Sequence, residues 1–358
     1  MDLAELLQYA VQYGASDLHL TAGRPPMVRI AGNLVPSGYD VALSGEDTKA
    51  LIYSILTDDQ KARFEEDHEL DLSIGIPGIS RFRVNVFMQR GSVAGVLRTI
   101  SENVPTLESL ELPAVIQRLV LLPRGLILVT GPTGSGKSTT LAAMIHMINQ
   151  QRQAHIVTIE DPIEFVHPHI QCTINQRELG SDTFSFPRAL KSVLREDPNV
   201  ILVGEMRDLE TIAAALTLAE TGHLVLSTLH TQDAAQTVDR IVDVFPPYQQ
   251  EQIRVMLASS LKGVISQMLL PRADGTGRIA ACEVMVVTPA IAAIIRDAKT
   301  HQIYSAIQTG AREGMRTMED SLFELYKEGL ITLEDALGKA NHPSEFKLLA
   351  HLEDAEES

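Results

Sequence analysis

The octapeptide Gly131-Pro132-Thr133-Gly134-Ser135-Gly136-Lys137-Ser138 constrains this chain more than any other segment. It satisfies the pattern G-x-x-x-x-G-K-[ST] at every fixed position, and Thr139 follows it. With glycine at roughly 7% of residues, a chain of this length matches by chance about once in a hundred. Gly125-Leu126-Ile127-Leu128-Val129-Thr130 reads as a buried strand running into the loop, and Leu141, Met144, Ile145 and Ile148 recur beyond it at helical spacing. Strand, glycine loop and helix form the setting that the motif requires. The glycines let backbone N–H groups converge on a polyphosphate, and the helix N-terminus adds its partial positive charge. Lys137 is placed to reach the outer phosphates, and the Ser138 hydroxyl to hold Mg²⁺. The segment Gly131 to Thr139 is therefore expected to bind a nucleoside triphosphate.

The 358 residues exceed what one hydrophobic core usually supports, so two domains are expected. The net charge of −16 argues against a generic nucleic-acid coat, which needs a basic surface. Acidic runs at Glu65-Glu66-Asp67 and Glu353-Asp354-Ala355-Glu356-Glu357 read as solvated surface. The start, Met1-Asp2-Leu3-Ala4-Glu5, lacks the basic region of a secretory signal, and no apolar run reaches the ~18–20 residues of a membrane span. A cytoplasmic chain is expected. Cys172 and Cys282 form no C-x-x-C pair, and His167-x-His169-x-x-Cys172 lacks an evident fourth ligand, so no zinc site is expected.

Residues 1–100 read as a small α+β domain. Leu3, Leu6, Leu7 and Ala10 mark an opening helix that ends near Gly14. Strand-like runs follow at 17–20, 27–30, 70–74, 81–88 and 93–100, separated by turn signals such as Pro25-Pro26, Gly32-Asn33 and Pro77-Gly78. One helix is expected from about Ser44 to Phe64. The polar stretch 101–113, with Pro105 and Pro113, reads as a linker. From 114 to 358, apolar runs at 125–130, 155–160, 199–204 and 223–229 alternate with helical patterns, which predicts a parallel sheet covered by helices. After a further strand near 279–287 the chain turns helical, from about 288 onward.

Three elements at ends of expected strands converge on the edge where open α/β sheets place ligands. Ile156-Val157-Thr158-Ile159 delivers Glu160, Asp161 and Glu164 into a proline-containing turn. Carboxylates beside a triphosphate repel it unless Mg²⁺ intervenes or one of them must polarise a water. Val200-Ile201-Leu202-Val203-Gly204-Glu205 ends four apolar residues in an acid suited to contact Mg²⁺ through water or to act as a base. Thr221 to His230 brings His230 to the same edge, in reach of a γ-phosphate or its attacking water.

Together these elements resemble the secretion-ATPase family, the hexameric motors of type II secretion, type IV pili and archaeal flagella. Glu160–Glu164 resembles its Asp box, Ile201–Glu205 its Walker B strand and Thr221–His230 its His box. Gly14-Ala15-Ser16-Asp17-Leu18-His19 resembles the N-terminal signature, and Arg81-Phe82-Arg83-Val84-Asn85 the strand that carries trans-acting arginines. The short N-terminal region, the missing C-x-x-C module and the stretch Ala290-Ile291-Ala292-Ala293-Ile294-Ile295-Arg296-Asp297 are most similar to the retraction branch. That stretch loses the polar Arg and Asn of the branch signature A-I-R-N-L-I-R-E at Ala292 and Ala293, while Ile291, Ile294 and Ile295 keep its apolar face and Arg296-Asp297 its charged end.

The resemblance implies a PAS-like first domain, a RecA-like ATPase domain with a helical C-terminal region, and ATP and Mg²⁺ as cofactors. It implies a homohexamer acting at the cytoplasmic membrane on an inner-membrane platform protein (PilC-like) of the pilus machine. Glu164 is implied as the base, Glu205 as the metal-side acid beside Ser138, and His230 as a γ-phosphate contact. Phosphoryl transfer needs further positive charge, for which Arg81, Arg83 and Arg98 of a neighbouring subunit are the candidates. Pilus assembly or type II secretion is the near alternative, and a RecA-like nucleic-acid translocase the distant one. No N-K-x-D segment supports a GTPase.

Overall fold

The computed structural model describes residues 2–30, 32–100 and 103–352. The acidic run at 353–357 and the first two residues of the expected linker, Ser101 and Glu102, lie outside the described residues. The chain divides into two compact units. One holds Met1–Asn103 with Pro162–Val166 and Gly180–Asp182, and the other holds Val104–Asp161, His167–Leu179 and Thr183–Ser358.

The first unit is an antiparallel sheet with helices, the α+β architecture that its short alternating runs predict. Its strands are β1 Asp17–Leu20, β2 Met27–Ile30, β3 Asn33–Pro36, β4 Glu69–Ile76, β5 Ser80–Gln89 and β6 Ser92–Ile100, in the order β3-β2-β1-β6-β5-β4. Alternation along β5 buries Phe82, Val84 and Val86 against Leu3, Leu6 and Leu7 of the opening helix Leu3–Gln12 and against Phe64. The same alternation leaves Arg83 exposed on the other face, directly opposite Arg98 of β6.

Two details differ from expectation. The single helix from Ser44 to Phe64 is two helices, Gly45–Tyr53 and Asp58–Asp67. Thr57 starts the second with a capping box to Gln60, which satisfies orphan N–H groups and makes a new start cheap. Strand β3 carries no alternating signal in the sequence because all four of its residues are exposed and it has no buried face.

The second unit is built on a seven-stranded sheet of β7 Gly125–Thr130, β8 His155–Glu160, β9 Thr173–Glu178, β10 Val200–Val203, β11 Leu224–Leu229, β12 Leu261–Pro271 and β13 Arg278–Val286. The order is β13-β12-β7-β11-β10-β8-β9, parallel throughout except for β13 against β12. Every residue of β7, β10 and β11 is buried, which is why these strands read as unbroken apolar runs. Helices Lys137–Gln151, Phe186–Val193, Leu209–Glu220 and Ala234–Asp243 follow sheet strands as crossovers. Past β13 the described chain is helical, from Pro289–Arg296 to Pro343–Leu349. Ile291 and Ile295 of the first of these helices are fully buried, and Ile294 packs partly against the same core.

Candidate nucleotide-binding and hydrolysis site

The phosphate-loop motif leaves the end of β7 and enters the helix Lys137–Gln151, as the octapeptide predicts. Gly131, Gly134 and Gly136 have φ of +138°, +80° and +88°, conformations that L side chains rarely adopt. Gly136 occupies the helix N-cap without any side-chain cap, so the first-turn N–H groups are left facing the loop. The Lys137 ammonium is buried and donates to the carbonyls of Gly131 at 2.9 Å and Pro132 at 3.0 Å, which holds the cation across its own loop. Ser135 Oγ is buried with no hydrogen-bond partner, an orphaned polar atom inside a loop shaped for an anion. Ser138 and Thr139 lie half-buried in the first turn, and Pro132, Thr133 and Gly134 are exposed.

Glu205 and His230 meet on the same sheet edge. β11 lies between the phosphate-loop strand β7 and the acid-bearing strand β10, and Leu229 pairs in register with Thr130. Hydroxyls pin the edge: Ser227 Oγ donates to the Val203 carbonyl at 2.7 Å, and Thr228 Oγ1 to the Gly204 carbonyl at 2.7 Å. Gly204 in turn donates to Ile159 of β8 at 2.8 Å, and a Cβ there would meet Glu160 Cα at 3.3 Å. The Glu205 carboxylate, only 14% exposed, pairs with Arg207 Nε at 2.5 Å and lies 3.7 Å from His230 Nε2. A cavity of about 630 Å³ opens here, lined by Arg207, His230, Thr231, Gln236 and Arg240. Among residues of the cavity wall, Gln236 and Arg240 carried no signal in the sequence beyond their i, i+4 spacing on one helix face.

The acidic turn is divided between the units. Glu160 ends β8 and accepts from Thr158 Oγ1 at 2.7 Å and Gln176 Nε2 at 3.3 Å; the exposed Asp161 follows it in the second unit. Glu164, expected on the same edge, belongs to the first unit with the segment Pro162–Val166. The candidate arginines are in the first unit too. Arg81 Nε donates to Ser73 Oγ at 3.1 Å, and Arg98 Nε binds the buried Asp17 carboxylate at 2.8 Å while staying 65% exposed. Burial alone would raise the Asp17 carboxyl, but hydrogen bonds from Ser16 and Arg98 and the Arg98 charge hold it below the usual carboxylate range.

Two members of the histidine–cysteine spacing have local partners, while His167 Nδ1 is buried without one. Cys172 Sγ donates to the Arg152 carbonyl at 3.0 Å, and His169 Nδ1 accepts from the Ile174 N–H at 3.1 Å. No group of three or more His, Cys, Asp or Glu among the described residues is arranged to hold a metal ion. Among the described residues, no helix is long and apolar enough to cross a membrane.

The family model for "Type II/IV secretion system protein" matches residues 2–338. The chain belongs to this family. It is 53% identical over 351 residues to the type IV pilus retractation ATPase PilT of Pseudomonas aeruginosa, covering 97% of this chain and 100% of that one. The type IV pilus ATPase PilU of the same organism is 43% identical, over 98% of this chain and 92% of its own length. The crystal structure of the pilus retraction motor PilT with bound ADP superposes with a TM-score of 0.91 at 49% identity, covering 97% of this chain and 99% of that one. The secretion-ATPase fold and ATPase character expected from the motifs are borne out, and the chain is a nucleotide-binding ATP hydrolase.

Proposed function

We propose that this chain is the ATP-driven motor of type IV pilus retraction. The observation that carries the reading is the likeness to a retraction ATPase over nearly the full length of both chains. The phosphates would lie on the loop N–H groups and Lys137, with Ser138 and Glu205 supplying hard oxygen ligands of the kind Mg²⁺ prefers. Bound there, Mg²⁺ would neutralise charge on the β- and γ-phosphates. Glu164 acts as the base that orients the attacking water, and His230 contacts the γ-phosphate side. Arg81, Arg83 and Arg98 act from a neighbouring copy in a homohexamer, which makes hydrolysis conditional on how subunits are arranged. That condition converts turnover into domain movement, delivered to a platform protein at the inner face of the cytoplasmic membrane. The boundaries that fit this reading are a PAS-like domain at 1–100, a linker at 101–113 and the ATPase domain at 114–358.

Trans-complementation tests the shared site. Chains carrying Lys137→Ala and chains carrying Arg81→Gln, Arg83→Gln and Arg98→Gln together should each lose about 10³-fold in hydrolysis rate. Mixing them should restore activity, because some interfaces then combine an intact loop with intact arginines. A mixture as inactive as its components would end the shared-site reading, and Glu164→Gln at the wild-type rate would end the assignment of the base.

A further inference from the structure

Strand β12 runs parallel to β7 and backs the phosphate loop. Two polar residues, Ser266 and Gln267, close its continuous buried run of 263–267. Ser266 pairs in register with Thr130, the last residue before the loop, so Gln267 follows level with the loop itself. Gln267 is 2% exposed, and an amide so deeply buried is costly unless both ends are bonded. Both are. Its Nε2 donates to the Ser135 carbonyl at 2.6 Å, and its Oε1 accepts from Thr140 Oγ1 at 2.9 Å. One side chain thus ties the loop to the first turn of the following helix, the two parts that must converge on a phosphate.

The main chain of the same residue shapes the loop as well. A Cβ on Gly131 would come within 2.1 Å of the Gln267 carbonyl oxygen. A Cβ on Gly136 would come within 3.0 Å of Gln267 Nε2. Two of the motif's glycines therefore face Gln267 at their backs. The Thr130–Ser266 hydroxyl pair, at 2.9 Å, belongs to the strands and not to the loop.

We propose that Gln267 is a positioning residue for nucleotide binding, bracing the phosphate loop and the first helical turn in the shape that receives the phosphates. The proposal rests on the reading of 131–139 as the phosphate site. Gln267 acts on the loop and not on the nucleotide, so its loss should weaken binding more than it slows the chemical step. Gln267→Leu keeps the bulk and leaves the Ser135 carbonyl and Thr140 hydroxyl without their partner, which costs the full desolvation of each.

The test measures ADP affinity by calorimetry, KM and kcat for ATP, and the unfolding temperature, on the full chain. Gln267→Leu should weaken ADP binding and raise KM about ten- to a hundredfold, with kcat at saturating ATP within about threefold of wild type. Ser266→Ala serves as the structural comparison: it should lower the unfolding temperature while ADP affinity stays within about twofold. Gln267→Leu with wild-type affinity overturns the brace. A loss of affinity no larger than that of Ser266→Ala at equal destabilisation also overturns it. Should Gln267→Leu fail to fold, Thr140→Val removes the helix half alone; a several-fold affinity loss supports the proposal and no loss overturns it. A wild-type chain that bound no ADP would instead overturn the phosphate-site reading itself.

Discussion

Gly131→Ala is the sharpest single test of how the loop is built. The backbone at Gly131 sits at φ +138°, a region essentially reserved for glycine, where strain costs about 1–3 kcal/mol. The new methyl group would also lie 2.1 Å from the Gln267 carbonyl and 2.7 Å from Ser135 Oγ. Relief requires moving β12, an interior strand held by β7 on one side and β13 on the other. Overpacking of this kind costs about 1–3 kcal/mol more. The total of about 2–6 kcal/mol is a large share of the ~5–15 kcal/mol that holds a typical native state together. Gly134→Ala is the matched comparison, because Gly134 has φ +80° and nothing within 4 Å of a built Cβ. Only the left-handed strain of about 1–2 kcal/mol applies there. Denaturant unfolding of both variants should therefore separate them by at least about 1 kcal/mol, with Gly131→Ala the less stable. Equal midpoints and slopes for the two variants would refute the argument that β12 dictates the loop.

Two further predictions concern buried carboxyls. Glu283 accepts from the Ala234 N–H at 2.8 Å, yet burial, reinforced by the charges of Asp233 and Glu319, pushes its carboxyl up to about 8. The folded state then binds the proton more tightly than the unfolded state, so wild-type stability should fall as pH rises from about 4.5 to about 8. Glu283→Gln mimics the protonated form, and its unfolding temperature should gain on wild type across that window; a gap independent of pH would contradict this. Asp17 has the opposite sign, with its carboxyl held low by Ser16 and Arg98. Asp17→Asn should be less stable than wild type at pH 7, and the gap should close as pH falls through the depressed carboxyl value below 3.8. A gap of equal size at pH 3 and pH 7 would contradict the pairing.

The parts of the site that were legible in the sequence are those whose chemistry is written locally. The phosphate loop, Glu205 at the end of an apolar run and His230 at the end of another each follow from a strand that must bury both faces. What stayed hidden depends on contacts distant in sequence. Gln267 is 132 residues from Ser135, and nothing in its neighbourhood announces the partnership except two polar residues in a buried strand. Strand β12 follows directly on the helix Pro247–Ser260, so no turn signal separated the two. Strand β9, Thr173–Glu178, escaped because its residues are mostly polar on an edge of the sheet. The break before the second helix is written in the sequence as the capping pair Thr57 and Gln60, but the helical pattern on both sides of it masks that pair. Arg207 flanked the acid visibly, but only the folded edge makes it the partner of Glu205.

The central claim is that turnover at this loop drives pilus retraction, and imaging of pili in a cell tests it most directly. A strain lacking the gene for this chain should carry abundant pili that do not retract and should not twitch. The wild-type chain should restore retraction, and Lys137→Ala, with its loop ammonium removed, should not. Bald cells in the deletion strain would contradict the account and assign the chain to assembly. Full retraction with Lys137→Ala would contradict it as well, by separating the movement from the phosphate loop.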